Sequence, residues 1–175
     1  MFYENGDMIL DARKDKMDNV TYADLADFGK KLLNSTGLEE GLPLISKYAC
    51  NIIKAERCSI FVYDKDTREL WTTLADGIDR IVIDSDKGIV GRSIQVKQLI
   101  IENEIEKSQY FLEKIDEKSG FKTENLIVTP IFNENHKVIG ALELLNKKDG
   151  FGTEDEKFMK FFANFISTFI DLAPR

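Results

Sequence analysis

The chain has few residues of the kinds that cross-link small proteins or hold metals. Its 175 residues include two cysteines, one histidine, one tryptophan and three prolines. Cys50 lies in a predicted helix and Cys58 at the start of a predicted strand. Two thiols in such apolar surroundings do not fit a disulfide scaffold, a CxxC redox pair or a zinc site. We therefore expect buried free thiols, no metal site and no required cofactor.

Long apolar runs and an excess of positive charge are also missing. No run approaches the roughly 20 apolar residues of a membrane-spanning helix, and residues 1–19 are too charged for a signal peptide. The formal net charge is -7, so there is no basic stripe for nucleic acid or an anionic membrane. We expect a cytoplasmic protein that binds neither. Binding of a small anion stays compatible with this charge, because pocket donors act at contact distance.

The composition is that of an ordinary globular chain, with 43% hydrophobic and 31% charged residues. We expect a polar arm over 1–20, a linker or dimer helix over 21–36 and one domain over 37–175. Thr21 is the predicted N-cap of the linker helix. A second helix is predicted from about Leu42 to Ala55, and a final helix over 154–172 with a Thr153–Glu156 capping box.

Six β-rich runs lie between these helices, bounded by turn residues. They span 58–63, 70–75, 80–83, 98–101, 126–132 and 137–145. A short apolar helix near Ile89 and a polar helix over about 104–117 interrupt them. The pattern predicts an α+β domain with a six-stranded antiparallel sheet and the terminal helices packed on one face.

The segment between the last strand and the last helix carries an ordered set of residues. Asn146-Lys147 is followed by Phe151 and then by Asp155-Glu156. This set resembles the signature of the GAF domains that regulate cyclic-nucleotide phosphodiesterases and certain bacterial adenylyl cyclases. The resemblance extends over about 38–172 and includes Gly88-Ile89-Val90-Gly91.

The five signature residues are expected to be architectural. Lys147 and Asp155 are placed to form a salt bridge, which contributes only about 0–1 kcal/mol if it is exposed. Asp155 and Glu156 would lie at the positive end of the helix dipole. Phe151 would anchor the turn. The signature is thus expected to hold strand against helix and not to touch a ligand.

The resemblance implies a ligand pocket on the sheet face opposite the terminal helices, under the helix and loop that precede the penultimate strand. Carried over position by position, it implies eight pocket residues. These are Ser59, Asp76, Ile89, Val90, Asp116, Ser119, Thr123 and Glu143. It also implies that Ala75 replaces an aromatic residue on which some cyclic-nucleotide-binding relatives stack the purine. The loss of such stacking would weaken binding, because it can contribute about 1–3 kcal/mol.

Two of these positions have chemistry of their own. The turn at Gly88-Ile89-Val90 opens a helix, whose first N–H groups can hold a phosphate, although a simple turn into a core helix explains it equally. Glu143 lies in an apolar strand, where a buried carboxylate needs a donor such as a nucleotide hydroxyl or amine. The alternative is an edge position with the carboxylate in solvent.

Three functions follow from these expectations. The first is a non-catalytic sensor that binds cAMP or cGMP, forms a homodimer through its N- and C-terminal helices and signals through them. The second is a ligand-free homodimerisation or protein-interaction module. The third is an enzyme like the free-methionine sulfoxide reductases, which share the fold. It is disfavoured because both cysteines lie in regular elements and His136 lies in a hairpin turn, without a nucleophile–base pair.

Overall fold

The computed structural model describes residues 2–4, 7–9, 12–72, 81–111 and 120–173, with side chains from Tyr22 onward. The chain forms two compact units, Met1–Ser35 and Thr36–Arg175. In the described residues, no helix combines the length and the apolar character that crossing a bilayer requires.

The first unit contains a hairpin and a long helix. Strand β1 (Phe2–Glu4) pairs antiparallel with β2 (Asp7–Ile9), and α1 spans Ala12–Leu33. The helix predicted over 21–36 thus begins at Ala12, and the segment expected to be a polar arm contains two strands and the start of α1. Residues 12–20 lack Gly and Pro and are rich in helix-forming Ala, Arg, Lys and Met. Thr21 lies within α1 and is not its N-cap.

The second unit contains the remaining elements, in which runs of one to three strands lie between helices. They are α2 (Leu38–Ile53), β3 (Ala55–Asp64), β4 (Glu69–Thr72), β5 (Ile81–Asp84), α3 (Gly88–Val96), β6 (Ile100–Glu102), a 3₁₀ helix (Ile105–Lys107), β7 (Leu126–Phe132), β8 (Val138–Lys147) and α4 (Thr153–Leu172). The strands form one antiparallel sheet in the order β5-β4-β3-β8-β7-β6. This confirms the predicted α+β fold with a six-stranded antiparallel sheet.

The two faces of this sheet differ in what covers them. Successive residues of a strand point to opposite faces. We call one the helix face, which carries Cys58, Ile60, Leu142 and Leu144, and the other the candidate face, which carries Ser59, Phe61, Ala141 and Glu143. Helices α2 and α4 pack on the helix face, where Met159, Phe162 and Ile166 of α4 are fully buried. Helix α3 packs on the candidate face.

Two glycines of the second unit lie where neighbouring elements are in close contact. A Cβ at Gly140 on β8 would lie 2.2 Å from the Phe61 carbonyl oxygen of β3. A Cβ at Gly41 on α2 would lie 2.1 Å from the ring of Phe169 on α4. Tyr48 and Phe162 continue this α2–α4 contact, with ring centroids 5.5 Å apart. At these two positions β3 and β8, and α2 and α4, therefore approach each other more closely than larger residues would allow.

The outer edge of β7 is paired with another strand over only part of its length. Strand β6 pairs with Leu126–Val128, so Thr129–Phe132 extends beyond it. Pro130 lies in this part of β7, where Thr129, Pro130 and Ile131 are all buried. A cavity of about 480 Å³ lies between this stretch, residues 97–99 before β6, and α4. It is separate from the candidate face and was not expected from the sequence.

Two predicted helical features differ in the structure. The polar helix expected over 104–117 is represented by the 3₁₀ helix at Ile105–Lys107, and residues 112–119 lie outside the described part of the chain. Helix α4 is not capped by Thr153 and Glu156. Its N-cap is Gly152, whose N–H donates to Asp155 Oδ2 at 2.9 Å. The capping box was misplaced by one residue because a glycine precedes the helix and Asp155 supplies the carboxylate.

Candidate functional site

The centre of the candidate face carries a buried carboxylate. Glu143 on β8 is only 8% exposed and lies opposite Ser59 on β3 and Val128 on β7. Ser59 is also buried. The alternative that Glu143 faces solvent from an edge strand is wrong, because β8 has a strand on each side. Burial of a carboxylate costs free energy unless hydrogen-bond donors contact it. Glu143 is therefore the position on this face best suited to a ligand that carries donor groups.

The start of α3 lies on the same face. Ile89 and Val90 are buried, and their side chains join the apolar cluster that contains Phe61 and Ala141. The first backbone bond of α3 runs from Gly91 N to Lys87 O at 3.0 Å. The N–H groups of residues 88–90 therefore have no acceptor within the helix. A ligand at this helix start would meet backbone donors and not the side chains of Ile89 and Val90.

The loop over 120–125 approaches the same face at one end. The guanidinium of Arg57 lies 4.0 Å from the centroid of the Phe121 ring. Arg57 is on β3, two residues before Ser59 and on the same side of the strand. Thr123, two residues after Phe121, is buried. Sequence reasoning missed Arg57, although it adjoins the predicted pocket residue Ser59.

The structure thus brings part of the predicted pocket together. Ser59 and Glu143 are adjacent, Ile89 and Val90 share their face, and the loop carries Thr123 towards it. The remaining predicted pocket residues, Asp76, Asp116 and Ser119, lie outside the described residues, as does Ala75.

Trp71, the single tryptophan of the chain, is not placed to stack a base on the candidate face. Trp71 pairs with Val62 and Val82, whereas Leu70 next to it belongs to the apolar cluster of the candidate face. Neighbouring residues of a strand point to opposite faces. Trp71 therefore points away from the candidate face.

The predicted salt bridge of the signature is present. Lys147 Nζ lies 2.6 Å from Asp155 Oδ1, and the two side chains are 27% and 9% exposed. The pair is thus more buried than the exposed ion pair considered from the sequence. Phe151 is buried as the anchor of the turn. Glu156 pairs instead with Lys160 at 2.7 Å on the surface of α4.

Asn146 connects the signature to the loop before β7. It has a left-handed backbone, with φ 58°. Its Oδ1 accepts bonds from the N–H groups of Glu124 at 2.7 Å and Asn125 at 3.3 Å. Its Nδ2 donates to Lys122 O at 2.8 Å and to Glu56 Oε2 at 3.3 Å. All four bonding positions of this amide are therefore occupied.

A comparison with known families agrees with the geometry. The model of the GAF domain family matches residues 37–170. This chain belongs to the GAF domain family. GAF domains are regulatory and sensory modules, and the second compact unit contains the whole of the matched region.

Individual relatives extend the comparison. Over 101 residues, or 55% of the chain, the protein is 33% identical to the cGMP-specific 3',5'-cyclic phosphodiesterases of Drosophila pseudoobscura pseudoobscura and Drosophila melanogaster. The match spans about 9% of the length of these curated relatives.

Two solved structures share the fold at low sequence identity. The GAF domain of a phosphoenolpyruvate-protein phosphotransferase from Coxiella burnetii has a TM-score of 0.72 and 17% identity, covering 84% of this chain and 90% of that chain. Free methionine-R-sulfoxide reductase from Neisseria meningitidis has a TM-score of 0.68 and 13% identity, covering 84% and 86%.

Two further asparagines of the GAF domain hold the signature turn. Asn125 Nδ2 donates to Lys147 O at 3.1 Å, and Lys147 N donates to Asn125 Oδ1 at 2.9 Å. Asn103 Nδ2 donates to Phe151 O at 3.0 Å, and Phe151 N donates to Asn103 Oδ1 at 2.8 Å. Sequence reasoning missed both residues, because neither forms part of a local pattern.

The cysteines of the GAF domain lie on the other side of the sheet. Both thiols are free, as expected, although Cys50 is only half-buried. Burial, reinforced by the hydrogen bond with Cys50, raises the pKa of Cys58 well above its ordinary value. The same hydrogen bond lowers the pKa of Cys50 and outweighs its partial burial. Among the described residues, no group of three or more His, Cys, Asp or Glu side chains is placed to hold a metal ion.

Proposed function

We propose that this GAF domain is a non-catalytic cytoplasmic sensor that binds cAMP or cGMP on its candidate face and signals through its terminal helices. The observation that carries the proposal is the buried Glu143 beside Ser59 at the centre of that face. The 33% identity to cGMP-specific phosphodiesterases supports the class of ligand.

A cyclic nucleotide offers groups that suit these positions. Its ribose hydroxyl and exocyclic amine are donors for a buried carboxylate, and a hydrogen bond to a charged group contributes about 1.5–3 kcal/mol. Its phosphate suits the N–H groups at the start of α3, because helix N-termini bind anions without basic side chains. A protein with a net negative charge can thus bind a ligand that carries one negative charge.

The position of the thiols supports a non-catalytic role. A reductase mechanism based on cysteine needs a thiolate that the substrate can reach. Cys58 is on the helix face and its pKa is raised by burial, which disfavours the thiolate. The pKa of Cys50 is lowered, but Cys50 is on α2, which packs on the same helix face. A methionine sulfoxide bound on the candidate face would be separated from both thiols by the sheet.

Calorimetric titration of cAMP and cGMP tests the sensor, together with thermal unfolding. The wild type should bind one of them and be stabilised, by about 2.7 kcal/mol at 100 times the Kd. Glu143→Gln should weaken binding by about five- to thirtyfold, since it replaces a charged acceptor by a neutral one worth about 1–2 kcal/mol less. Glu134→Gln, the same change in the exposed β7–β8 turn, is the matched control. Absence of binding and stabilisation with both nucleotides would reject the sensor.

A second function, a ligand-free homodimerisation or protein-interaction module, is favoured by the surface of α4. Phe161 and Phe165 are 50% and 38% exposed, with ring centroids 6.3 Å apart, and Leu172 continues the surface. Their spacings of four and seven are those of a helix stripe that pairs with another helix. This stripe is distinct from the fully buried residues of α4 that cover the sheet.

Sedimentation equilibrium tests association through this stripe, with and without nucleotide. The wild type should be a dimer, and the double variant Phe161→Ser/Phe165→Ser should be a monomer that retains its fold. Lys157→Ser, a change on an exposed charged position of the same helix, should remain dimeric. A monomeric wild type would reject the homodimer. A dimer without nucleotide binding would favour the second function over the first.

A further inference from the structure

The segment between β6 and β7 begins and ends at the same place in the sheet. Glu102, the last residue of β6, pairs with Leu126, the first residue of β7. Asn103 and Asn125 are therefore the two residues that flank the segment at its base. The N–H of Ile105 also donates to the carbonyl of Glu124 at 3.4 Å, which closes the base through the backbone.

Both flanking asparagines bond to one stretch of the chain, residues 146–152, which comprises the end of β8 and the turn that leads to α4. Each side-chain amide makes a donor and an acceptor bond with the backbone of a single residue, as a peptide group does in a sheet. Asn125 pairs in this way with Lys147, and Asn103 pairs with Phe151. We call these two pairings the asparagine clamps.

The turn is shaped to admit one of the clamps. Gly150 has φ +81°, and a Cβ at this position would lie 2.7 Å from Asn103 Oδ1. A side chain at position 150 would therefore be strained and would displace the Asn103 amide. Glycine at this position serves the close approach of Asn103 as well as the bend of the chain.

Both clamped residues are connected to the first turn of α4. Lys147 forms its ion pair with Asp155. Phe151 precedes Gly152, whose N–H donates to the other carboxylate oxygen of the same Asp155. A displacement of either clamp would thus be transmitted to Asp155, at the third position of the helix.

From this arrangement we infer that Asn103 and Asn125 are positioning residues that couple the β6–β7 segment to the start of α4. The inference deepens the proposed function and rests on it, because that segment carries the buried Thr123, a predicted ligand residue. A ligand contact on the segment then reaches the C-terminal helix through the clamps, without passing through the packed core of the sheet.

Native-state hydrogen exchange on the ligand-free protein, at increasing denaturant, tests the coupling. The amide of Glu124 reports the segment, because it bonds to Asn146 Oδ1. The amide of Glu156 reports α4, because it makes a backbone bond to Gly152 O within the first turn of the helix. In the wild type the two amides should exchange through one shared opening, with the same opening free energy at each denaturant concentration. Two transitions in the wild type would overturn the inference.

Asn103→Ala and Asn125→Ala should each separate the two transitions. The segment should open about tenfold more often than α4, since each change removes two backbone hydrogen bonds. Gly150→Ala should act like Asn103→Ala. If the asparagines only stabilised the fold, their removal would accelerate hydrogen exchange at both amides equally. Equal acceleration in the clamp variants would therefore also overturn the inference.

The matched control is Asn133→Ala, at the opposite end of the β7–β8 hairpin. Asn133 Oδ1 accepts two backbone bonds, from Asn135 N at 3.0 Å and Lys137 N at 3.1 Å. Its removal should lower stability while Glu124 and Glu156 still open together. Separation of the two amides in this control would show that loss of stability alone uncouples them, which would overturn the inference.

A second arm of the experiment adds cAMP or cGMP and separates the inference from the proposed function. If the wild type binds a nucleotide, that nucleotide should slow exchange at Glu156 in the wild type. In the Asn103→Ala/Asn125→Ala variant it should still bind but leave Glu156 unchanged; slowing there would overturn the inference. If the wild type binds neither nucleotide, the proposed function fails, and the ligand-free arm alone decides the coupling.

Discussion

Removal of the Asp155 carboxylate should destabilise the second unit far more than the loss of an exposed ion pair. Asp155 accepts from Lys147 Nζ at 2.6 Å and from Gly152 N at 2.9 Å, and its side chain is 9% exposed. Loss of a helix-capping acceptor costs about 0.5–2 kcal/mol. Loss of a negative charge at a helix start costs about 0.3–1 kcal/mol. The unpaired and partly buried Lys147 adds to these terms.

We therefore expect Asp155→Ala to lower the free energy of unfolding by about 2–4 kcal/mol, from the cap, dipole and hydrogen-bond contributions. Urea unfolding followed by circular dichroism measures this value. Asp155→Asn retains an oxygen for the Gly152 N–H, so it should cost about half as much, near 1–2 kcal/mol. At about 2–4 °C per kcal/mol, the alanine variant should also melt clearly below the wild type.

Glu154→Ala provides the comparison within the same turn. Glu154 pairs with Lys157 at 3.1 Å, but its side chain is 87% exposed. Its loss should cost less than about 1 kcal/mol, and high salt should reduce that cost further. Equal costs for Asp155→Ala and Glu154→Ala would refute the reasoning, because burial of the Asp155 carboxylate would then contribute nothing.

Three further predictions concern packing, hydrogen bonding and thiol reactivity. Gly140→Ala should cost about 3 kcal/mol or more by overpacking, since its Cβ would meet the backbone oxygen of Phe61; a thermal melt near that of the wild type would contradict this. Asn146→Gly should remain destabilised by about 2 kcal/mol or more in urea unfolding, because the left-handed backbone is relieved but four side-chain bonds are lost. Cys50, whose pKa is lowered, should be alkylated at least about tenfold faster than Cys58 at neutral pH, with a rate that rises as pH passes through that pKa. Mass spectrometry of the timed reaction measures both rates, and equal rates would contradict the assignment.

The sheet was predictable where local pattern and burial agree. The strand expected over 126–132 is observed with the same bounds, because its apolar run lies in the interior of the fold. Strand β8 extends past its predicted end to Lys147, although Asn146 and Lys147 are polar. Lys147 still pairs with Ala55 of β3, and the sequence around Lys147 does not indicate this pairing.

The start of α1 and the asparagine clamps could not be predicted for a different reason. Residues 12–20 lack a clear apolar stripe, so only their helix propensity indicates that the helix begins there. Asn103 and Asn125 act through residues that are 48 and 22 positions away in the chain. An isolated asparagine carries no sign of such a partner, because its amide is equally common in exposed turns.

The site was predictable mainly through family resemblance. The apolar sequence around Glu143 left both a buried and a solvent-facing carboxylate open, and only the strand order resolved this by placing β8 in the centre of the sheet. Arg57 and Phe121 are 64 positions apart in sequence, and their contact depends on how the loop before β7 crosses the face.

The short strand β6 has a consequence for the behaviour of the protein at high concentration. An uncovered strand edge can recruit the edge of another molecule and start aggregation. The part of β7 beyond β6 contains Pro130, which has no N–H to offer to an incoming strand, and Thr129, Pro130 and Ile131 are all buried. Lys97 lines the same cavity and adds charge beside this edge. The edge is thus protected by burial, a missing donor and a nearby charge, so a substitution that restores the donor at position 130 would not by itself open the sheet to self-assembly.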